Sequence, residues 1–345
     1  MFIAYIGKIL REHFPQLYKR ITRFITNTKR NNYIFISDSL GGSFKDYISA
    51  NVMSEKLKNL KLHLDKYSQI TIDVIYQRIL NYPEERYKQI LVPQKDNIVG
   101  GLLEEEKIEF NSKKIKKEQK INFKTNLMET SVFKFYHGIT FLPENVQKFI
   151  NEKDFIDIGA YIGDSAVALR KYNYKKIYSI EMSQQSIFEY KKNMKLNSIN
   201  KEKYKIINCA VAKQDGLPPI RIIDSGSAGL SLKRTDTSKS KNIVIEQKTL
   251  DLIIKENKII PGFVKMDIEG MAMDCLIGGI NAIKKARPVL SIAIYHNPIE
   301  FFEVKPFLES QLSNYTFLIR KLSNQIYNNN CHSEIILIAF PNERR

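Results

Sequence analysis

The sequence predicts an α/β fold, a seven-stranded, mostly parallel, doubly wound sheet preceded by a mainly helical N-terminal extension. Three observations carry this. From Asp154 onward short apolar runs alternate with helix-length stretches, the pattern of a parallel sheet covered on both faces. The first apolar run, Phe155-Ile156-Asp157-Ile158, meets Gly159-Ala160-Tyr161-Ile162-Gly163, and Asp164-Ser165 then open a helical run, which reads as strand, tight turn and helix start. The last two apolar runs are separated only by the polar turn from Asn324 to Asn330, too short for a helix, as in an antiparallel hairpin.

Taken in order, strands are expected at 155–158, 177–181, 204–208, 263–268, 289–295, 315–320 and 334–340. Helices are expected at 164–172, 184–198, 249–257, 270–285 and 298–312. Upstream, Ile3 to Ile25 reads as a basic helix, with Ile6, Leu10, Phe14, Leu17 and Ile21 at three- and four-residue spacing. Asp38 to Ser43 reads as a turn, and Glu55 to Leu80 as one or two helices stopped by Asn81-Tyr82-Pro83. Residues 93–120, with Pro93, Gly100-Gly101 and dense charge, are expected as an exposed excursion. Ser131 to Tyr136 alternates like a strand turned by His137-Gly138, and Pro143 starts a short helix reaching Ile150. The boundary falls between an extension over 1–130 and a Rossmann-like domain over 131–345. The extension suits a lid, a substrate-binding appendage or a dimerisation arm equally.

With 345 residues, 43% of them hydrophobic, the chain can bury a full core and is long enough for two units. No apolar run approaches the roughly 20 residues that span a bilayer. Met1 to Lys8 is too short for a signal-peptide core and lacks a cleavage site, so a soluble, cytoplasmic protein is expected. Cys209, Cys275 and Cys331 lie far apart and suit a reducing compartment. The formal charge of +17 invites a polyanion partner, but the excess is spread along the chain. Its densest cluster, Lys113-Lys114-Ile115-Lys116-Lys117, follows Glu104-Glu105-Glu106, so a solvated surface explains it as well.

Chemistry gathers at the expected carboxyl ends of the strands. A glycine turn there leaves backbone N–H groups and a helix dipole free for a ligand, which nominates Asp157, Gly159, Ala160, Tyr161, Gly163, Asp164 and Ser165. Tyr161 stands where the dinucleotide fingerprint has its middle glycine, which argues against a dehydrogenase. Asp-x-Gly-x-x-x-Gly instead resembles the first motif of S-adenosylmethionine-dependent methyltransferases. Glu181 ends the second strand, placed either to accept from both hydroxyls of a ribose or to meet the dipole of the next helix. Asn193 and Asn197 lie one turn apart on that helix. Asn208, after the third strand, would lie beside an adenine.

In Phe263 to Gly270, strand alternation turns Lys265, Asp267 and Glu269 one way. Three charges in a buried strand must reach a ligand or form an internal salt bridge. Asp267 and Glu269 alone are too few ligands to define a metal site, and none is assigned. His296 ends the fifth strand on the same edge and titrates in the range of a general base, with Asp267 its competitor.

Residues 132–340 resemble the FkbM-type methyltransferases. The resemblance rests on Phe155 to Ser165, Glu181 with Asn193 and Asn197, Lys265-Met266-Asp267-Ile268-Glu269-Gly270, Arg287-Pro288, Tyr295-His296 and a Ser225 to Ser231 glycine-serine loop. It implies the class I sheet, S-adenosyl-L-methionine as cofactor and a hydroxyl acceptor on a sugar or glycan precursor. Asp157 to Ser165, Glu181, Asn208 and Asp267 would hold the donor, and Lys265, Asp267, Glu269 and His296 would surround the acceptor. The chain departs from the family at Met271-Ala272, where relatives usually carry Ala-Glu; the nearest acid is Asp274. A nucleic-acid methyltransferase and a non-catalytic S-adenosylmethionine-binding assembly protein are the alternative readings.

Overall fold

The computed structural model describes residues 33–37, 41–80, 89–93, 103–108, 111–123, 128–224, 241–322 and 334–344. The expected helix from Ile3 to Ile25, the Ser225 to Ser231 loop and Cys331 lie outside these residues. After a strand over Tyr33–Ser37, which pairs antiparallel with Gln89–Pro93, come three helices, α1 (Gly41–Ala50), α2 (Met53–Lys61) and α3 (Lys66–Leu80). The turn expected over Asp38 to Ser43 is in its second half the start of α1.

The main sheet contains β1 (Asp154–Ile158), β2 (Ile177–Ile180), β3 (Tyr204–Ile207), β4 (Pro261–Met266), β5 (Val289–Ala293), β6 (Tyr315–Lys321) and β7 (Ile335–Pro341). Their spatial order is β6-β7-β5-β4-β1-β2-β3. Only β7 is antiparallel to its neighbours, as the short gap before it predicts. The chain winds from β1 outward through β2 and β3, then returns to β4 on the other side of β1. That reversal opens a crevice at the carboxyl ends of β1 and β4. β1, β4, β5 and β7 are buried along their whole length, which explains their unbroken apolar runs.

The helices of this part are α4 (Asp164–Leu169), α5 (Gln184–Leu196), α6 (Leu250–Asn257), α7 (Ala272–Ile277) and α8 (Pro298–Gln311). Ser183, Thr249 and Asn297 cap α5, α6 and α8 by accepting a backbone N–H. The single helix expected over 270–285 is two, α7 and a second over Ile280–Ala286. Gly278 and Gly279 make the break. A Cβ on Gly278 would lie 2.2 Å from the carbonyl oxygen of Ala212, and one on Gly279 would lie 2.7 Å from Leu250.

Ser131 to Tyr136 is a second correction. It forms a short helix, Val132–Phe135, because Val132, Phe133 and Phe135 all face the core and only Lys134 is exposed. A run this short fits both periods. Nor is all of 93–120 an exposed excursion: Glu106 is buried, accepting Nη1 and Nη2 of Arg78 at 2.6 and 2.8 Å, with Lys321 of β6 4.0 Å away.

β6 is the edge of the sheet, and α3 lies along it. Ser68 Oγ accepts the Ile319 N–H at 2.8 Å, and Arg320 pairs with Asp65 at 2.6 Å, so an edge open to pairing with another chain is covered. Phe44 and Tyr47 of α1 pack on Phe302 of α8, the latter stacked at 5.3 Å. Phe44, Leu60, Ile72 and Ile75 thereby share one core with Val264, Leu290 and Leu337 of the sheet.

Candidate active site

A polar row crosses the middle of the sheet beneath the site. Ser291, Lys265, Asp157 and Ser179 are register neighbours on β5, β4, β1 and β2, and all four are buried. Lys265 Nζ lies 3.0 Å from Asp157 Oδ1 and donates to the Gly159 carbonyl at 2.7 Å. Burial opposes the ammonium, but Asp157 and Asp267 outweigh it, so its pKa is raised. Burial pushes Asp157 up against the pull of Lys265. The internal salt bridge weighed from sequence is therefore present, between β4 and β1. It places Lys265 under the glycine turn, in the wall of a cavity it shares with Asp267.

The glycine turn is pressed onto the end of β4. Gly159 has φ +79°, and the Asp267 N–H donates to the Ile158 carbonyl at 3.0 Å. Asn193 Nδ2 holds the Ile162 carbonyl at 2.9 Å inside the turn, while Asn197 ties the Asn122 backbone, so both shape the turn's surroundings. Glu181 faces the turn at the end of β2. Its Oε2 accepts the Tyr161 N–H and its Oε1 the Ser183 N–H, both at 2.8 Å, so it meets the start of α5 and is oriented at once. Each oxygen keeps a further lone pair, which suits a vicinal diol. Asn208 is exposed and donates to the carbonyls of Glu181 and Met182 at 2.8 and 3.1 Å.

Asp164 and Ser165 begin α4 and are both buried. Asp164 Oδ2 accepts the Glu129 N–H at 3.2 Å, and burial first, then Glu129, pushes its pKa up to about 7. Ser165 Oγ is 2.9 Å from His137 Nε2, and the His137 carbonyl accepts from Ser291 Oγ at 2.7 Å. These bonds hold Tyr136 and His137 in left-handed backbone conformations, φ +49° and +52°, that cost about 1–2 kcal/mol per residue without such support.

Beyond the turn, His296 is clasped by carboxylates. Its Nε2 is 3.2 Å from Asp267 Oδ1 and 3.8 Å from Glu269 Oε2, and its Nδ1 is 3.3 Å from Glu300 Oε2. Glu300 Oε1 accepts the Ala272 N–H at 2.8 Å, so a carboxylate from α8 stands against the first residue of α7. Burial disfavours a charged ring, yet Asp267 and Glu300 outweigh it and push the His296 pKa up to about 11. Asp267, despite burial, is held well below the usual carboxylate range by His296 and then Lys265. A protonated ring has no lone pair to take a proton, so this raised pKa weighs against the base role expected of His296 and toward its competitor, Asp267.

The imidazole signals of His296 in an NMR titration are accordingly expected to stay protonated through pH 9, and to titrate lower in Asp267→Asn. Titration near 6.5 would return the base role to the histidine. The sign for stability follows: a pKa raised in the fold contributes stability in full below about 6.5, and that contribution fades as pH climbs toward about 11.

Sequence reasoning nominated neither Glu129, His137, Glu300 nor Glu334, and named Tyr295 only beside His296 in the motif. Only Glu300 left a signal, four residues after His296 at a helix start, where side chains meet. Among the described residues no group of three or more His, Cys, Asp or Glu is placed to hold a metal ion.

A glycine turn facing a strand-end carboxylate, on a seven-stranded sheet whose one antiparallel strand lies between the fifth and sixth, is the class I methyltransferase fold. Residues 157–327 match the family model of the methyltransferase FkbM domain, so the chain contains an FkbM-type methyltransferase domain. Its fold is similar to that of the methyltransferase FkbM of Methylobacillus flagellatus KT. The TM-score is 0.55 at 17% identity, over 86% of this chain and 61% of that one, so the chain spans about 61% of that enzyme's length. Looser likenesses are an rRNA methylase of Streptococcus thermophilus (TM-score 0.35, 10% identity, 57% of this chain and 92% of that one) and an O-methyltransferase of Bacillus cereus (0.34, 11%, 63% and 93%). No match was found among curated proteins. No helix among the described residues is long and apolar enough to cross a membrane.

Proposed function

We propose that the protein is an S-adenosylmethionine-dependent O-methyltransferase acting on an uncharged hydroxyl, as on a sugar or glycan precursor. The observation that carries this is the meeting of the glycine turn, Glu181 and Asp267 at one sheet edge. The residues present fit the donor. Glu181, set by two N–H groups, would accept from the ribose hydroxyls, while Asp157, Gly159 to Gly163, Asp164 and Ser165 would frame the rest and Asn208 would flank the base. The bound donor supplies an electrophilic methyl group on a sulfonium. Asp267 would accept the hydrogen bond of the acceptor hydroxyl and then its proton. His296, held cationic, would keep Asp267 ionised and hold Asp267 and Glu269 in place, and Lys265 supports Asp267 from below. In-line displacement needs little more than alignment, which supplies up to roughly 7–11 kcal/mol in well-oriented systems. The concentration of carboxylates disfavours a phosphate-bearing acceptor, which supports a neutral sugar hydroxyl over a nucleic acid.

Calorimetric titration with S-adenosylhomocysteine, with NAD as control, tests the donor. Micromolar binding of the first alone is expected. Glu181→Ala should weaken it about 100-fold, the loss of two charge-assisted hydrogen bonds. Equal binding of NAD, or an unchanged affinity in Glu181→Ala, would overturn the reading; methylation of neutral but not phosphorylated sugars tests the acceptor.

A further inference from the structure

At the end of the sheet opposite the glycine turn, each of the first five strands is entered through an exposed lysine. Lys153 precedes β1, Lys175 β2, Lys201 β3, Lys258 β4 and Lys285 β5. The strands lie side by side in the order β5-β4-β1-β2-β3. At about 4.8 Å per strand, the five lysines form a band roughly 19 Å long. Backbone contacts tie neighbouring entries together: the Lys175 N–H donates to the Lys153 carbonyl at 2.8 Å, and a Cβ on Gly262 of β4 would lie 2.4 Å from that of Lys153. Among the described residues none of the five lysines forms an ion pair. Of the nearby acids, Glu256 is taken by Lys248 at 2.8 Å and Glu343 by Arg287 at 2.9 Å, which leaves Glu152 and Glu202 against the band.

Ile260 stands in the same band, at the entry to β4. It is 74% exposed, more than any other large hydrophobic side chain among the described residues. Its N–H is held by the buried Asp154 carboxylate at 3.3 Å, so the strand beneath fixes it in place. Helix dipoles account for part of the charge, since α6 and the helix Ile280–Ala286 end at Lys258 and Lys285. They do not account for Lys153 and Lys175, which lie between elements, or for an apolar side chain set among cations. The acids of the site, Glu181, Asp267, Glu269 and Glu300, lie toward the other end. The fold thus gathers on one face part of the +17 charge that the sequence leaves spread along the chain.

We propose that this face docks on an anionic bilayer surface, with the lysines among the lipid headgroups and Ile260 at the boundary of the acyl chains. Each lysine near such a surface is drawn to it, and one aliphatic side chain adds apolar burial once the face has arrived. The chemistry of the band favours lipid over nucleic acid. Its five free cations are lysines and its exposed apolar member is aliphatic, whereas nucleic-acid surfaces rely on arginine forks and on aromatic rings that stack with bases. The glycine turn lies one strand length away, about 17 Å, at the opposite end, so docking leaves the site open to solvent.

The test is co-sedimentation of the full chain with two kinds of vesicle, pure phosphatidylcholine and phosphatidylcholine with one-third phosphatidylglycerol. Binding to the second alone is expected, and its loss at high salt. The triple variant Lys153→Gln, Lys175→Gln, Lys258→Gln should weaken it about 100-fold. A control triple, Lys58→Gln, Lys191→Gln, Lys213→Gln, removes the same charge from exposed positions elsewhere and should stay within about threefold of wild type. Ile260→Asn, at unchanged charge, should weaken binding about tenfold. All seven positions are exposed, so the fold is kept in every variant. Absence of vesicle binding by the wild-type chain overturns the proposal, as do equal losses in the two triples, which would make net charge the cause. A short DNA duplex bound more tightly than the vesicles, through the same three lysines and without help from Ile260, would assign the face to nucleic acid instead.

Discussion

Replacing Lys265 with methionine is expected to destabilise the fold by about 3–5 kcal/mol, the usual consequence of leaving a buried charge without its partner. Asp157 is fully buried in the central strand, and Lys265 is the one cation within ion-pair distance among the described residues. Its removal leaves Asp157 to face Asp267 with no counter-charge. The carboxylate then either stays ionised at high cost or takes a proton. The loss, read from urea denaturation, should therefore be larger at pH 8 than at pH 5. The double variant Asp157→Asn with Lys265→Met should recover most of it, since a buried pair replaced on both sides is often close to neutral. A single variant within about 1 kcal/mol of wild type, at the level of an exposed pair, would show that Lys265 does not neutralise Asp157.

This ion pair marks how far the sequence could be read. Lys265 and Asp267 share a strand face by alternation, so their common direction was visible in the chain. That Lys265 would spend its charge on Asp157 was not, because it depends on the register between β4 and β1, two strands about a hundred residues apart. The turn from Phe155 to Ser165, the strand order and the terminal hairpin were legible because each is a local pattern of apolar runs and glycines. The break in the helix after Gly270 was half legible: Gly278-Gly279 was in plain view, but only the carbonyl of Ala212 against it explains why the helix yields there. Glu129, Glu334 and His137 left no pattern. They come from irregular backbone, and packing around β7 and α4 alone brings them together. The surroundings of His296 were hidden for the same reason: Asp267 and Glu269 reach it from the loop after β4, and Glu300 from α8.

Gly159→Ala is expected to cost about 3–5 kcal/mol, the sum of left-handed backbone strain and overpacking against atoms that cannot give. A Cβ there would sit 1.9 Å from the Asp267 carbonyl oxygen. The obstacle is backbone at the end of a central strand, so the variant must either unfold the turn or push Asp267 away. Displacing Asp267 removes the first of the carboxylates that hold His296 charged, so the histidine should titrate several units lower in whatever remains folded, and S-adenosylhomocysteine binding should be lost. Gly216→Ala supplies the control. Its φ is +77°, almost that of Gly159, but nothing lies within 4 Å of the added methyl. It should show the backbone strain alone, about 1–2 kcal/mol, with cofactor binding and His296 untouched. The difference between the two alanines then measures what the contact between turn and strand contributes. Equal losses would mean that the turn tolerates a methyl at its centre, and that the joint between Gly159 and Asp267 is looser than the site requires.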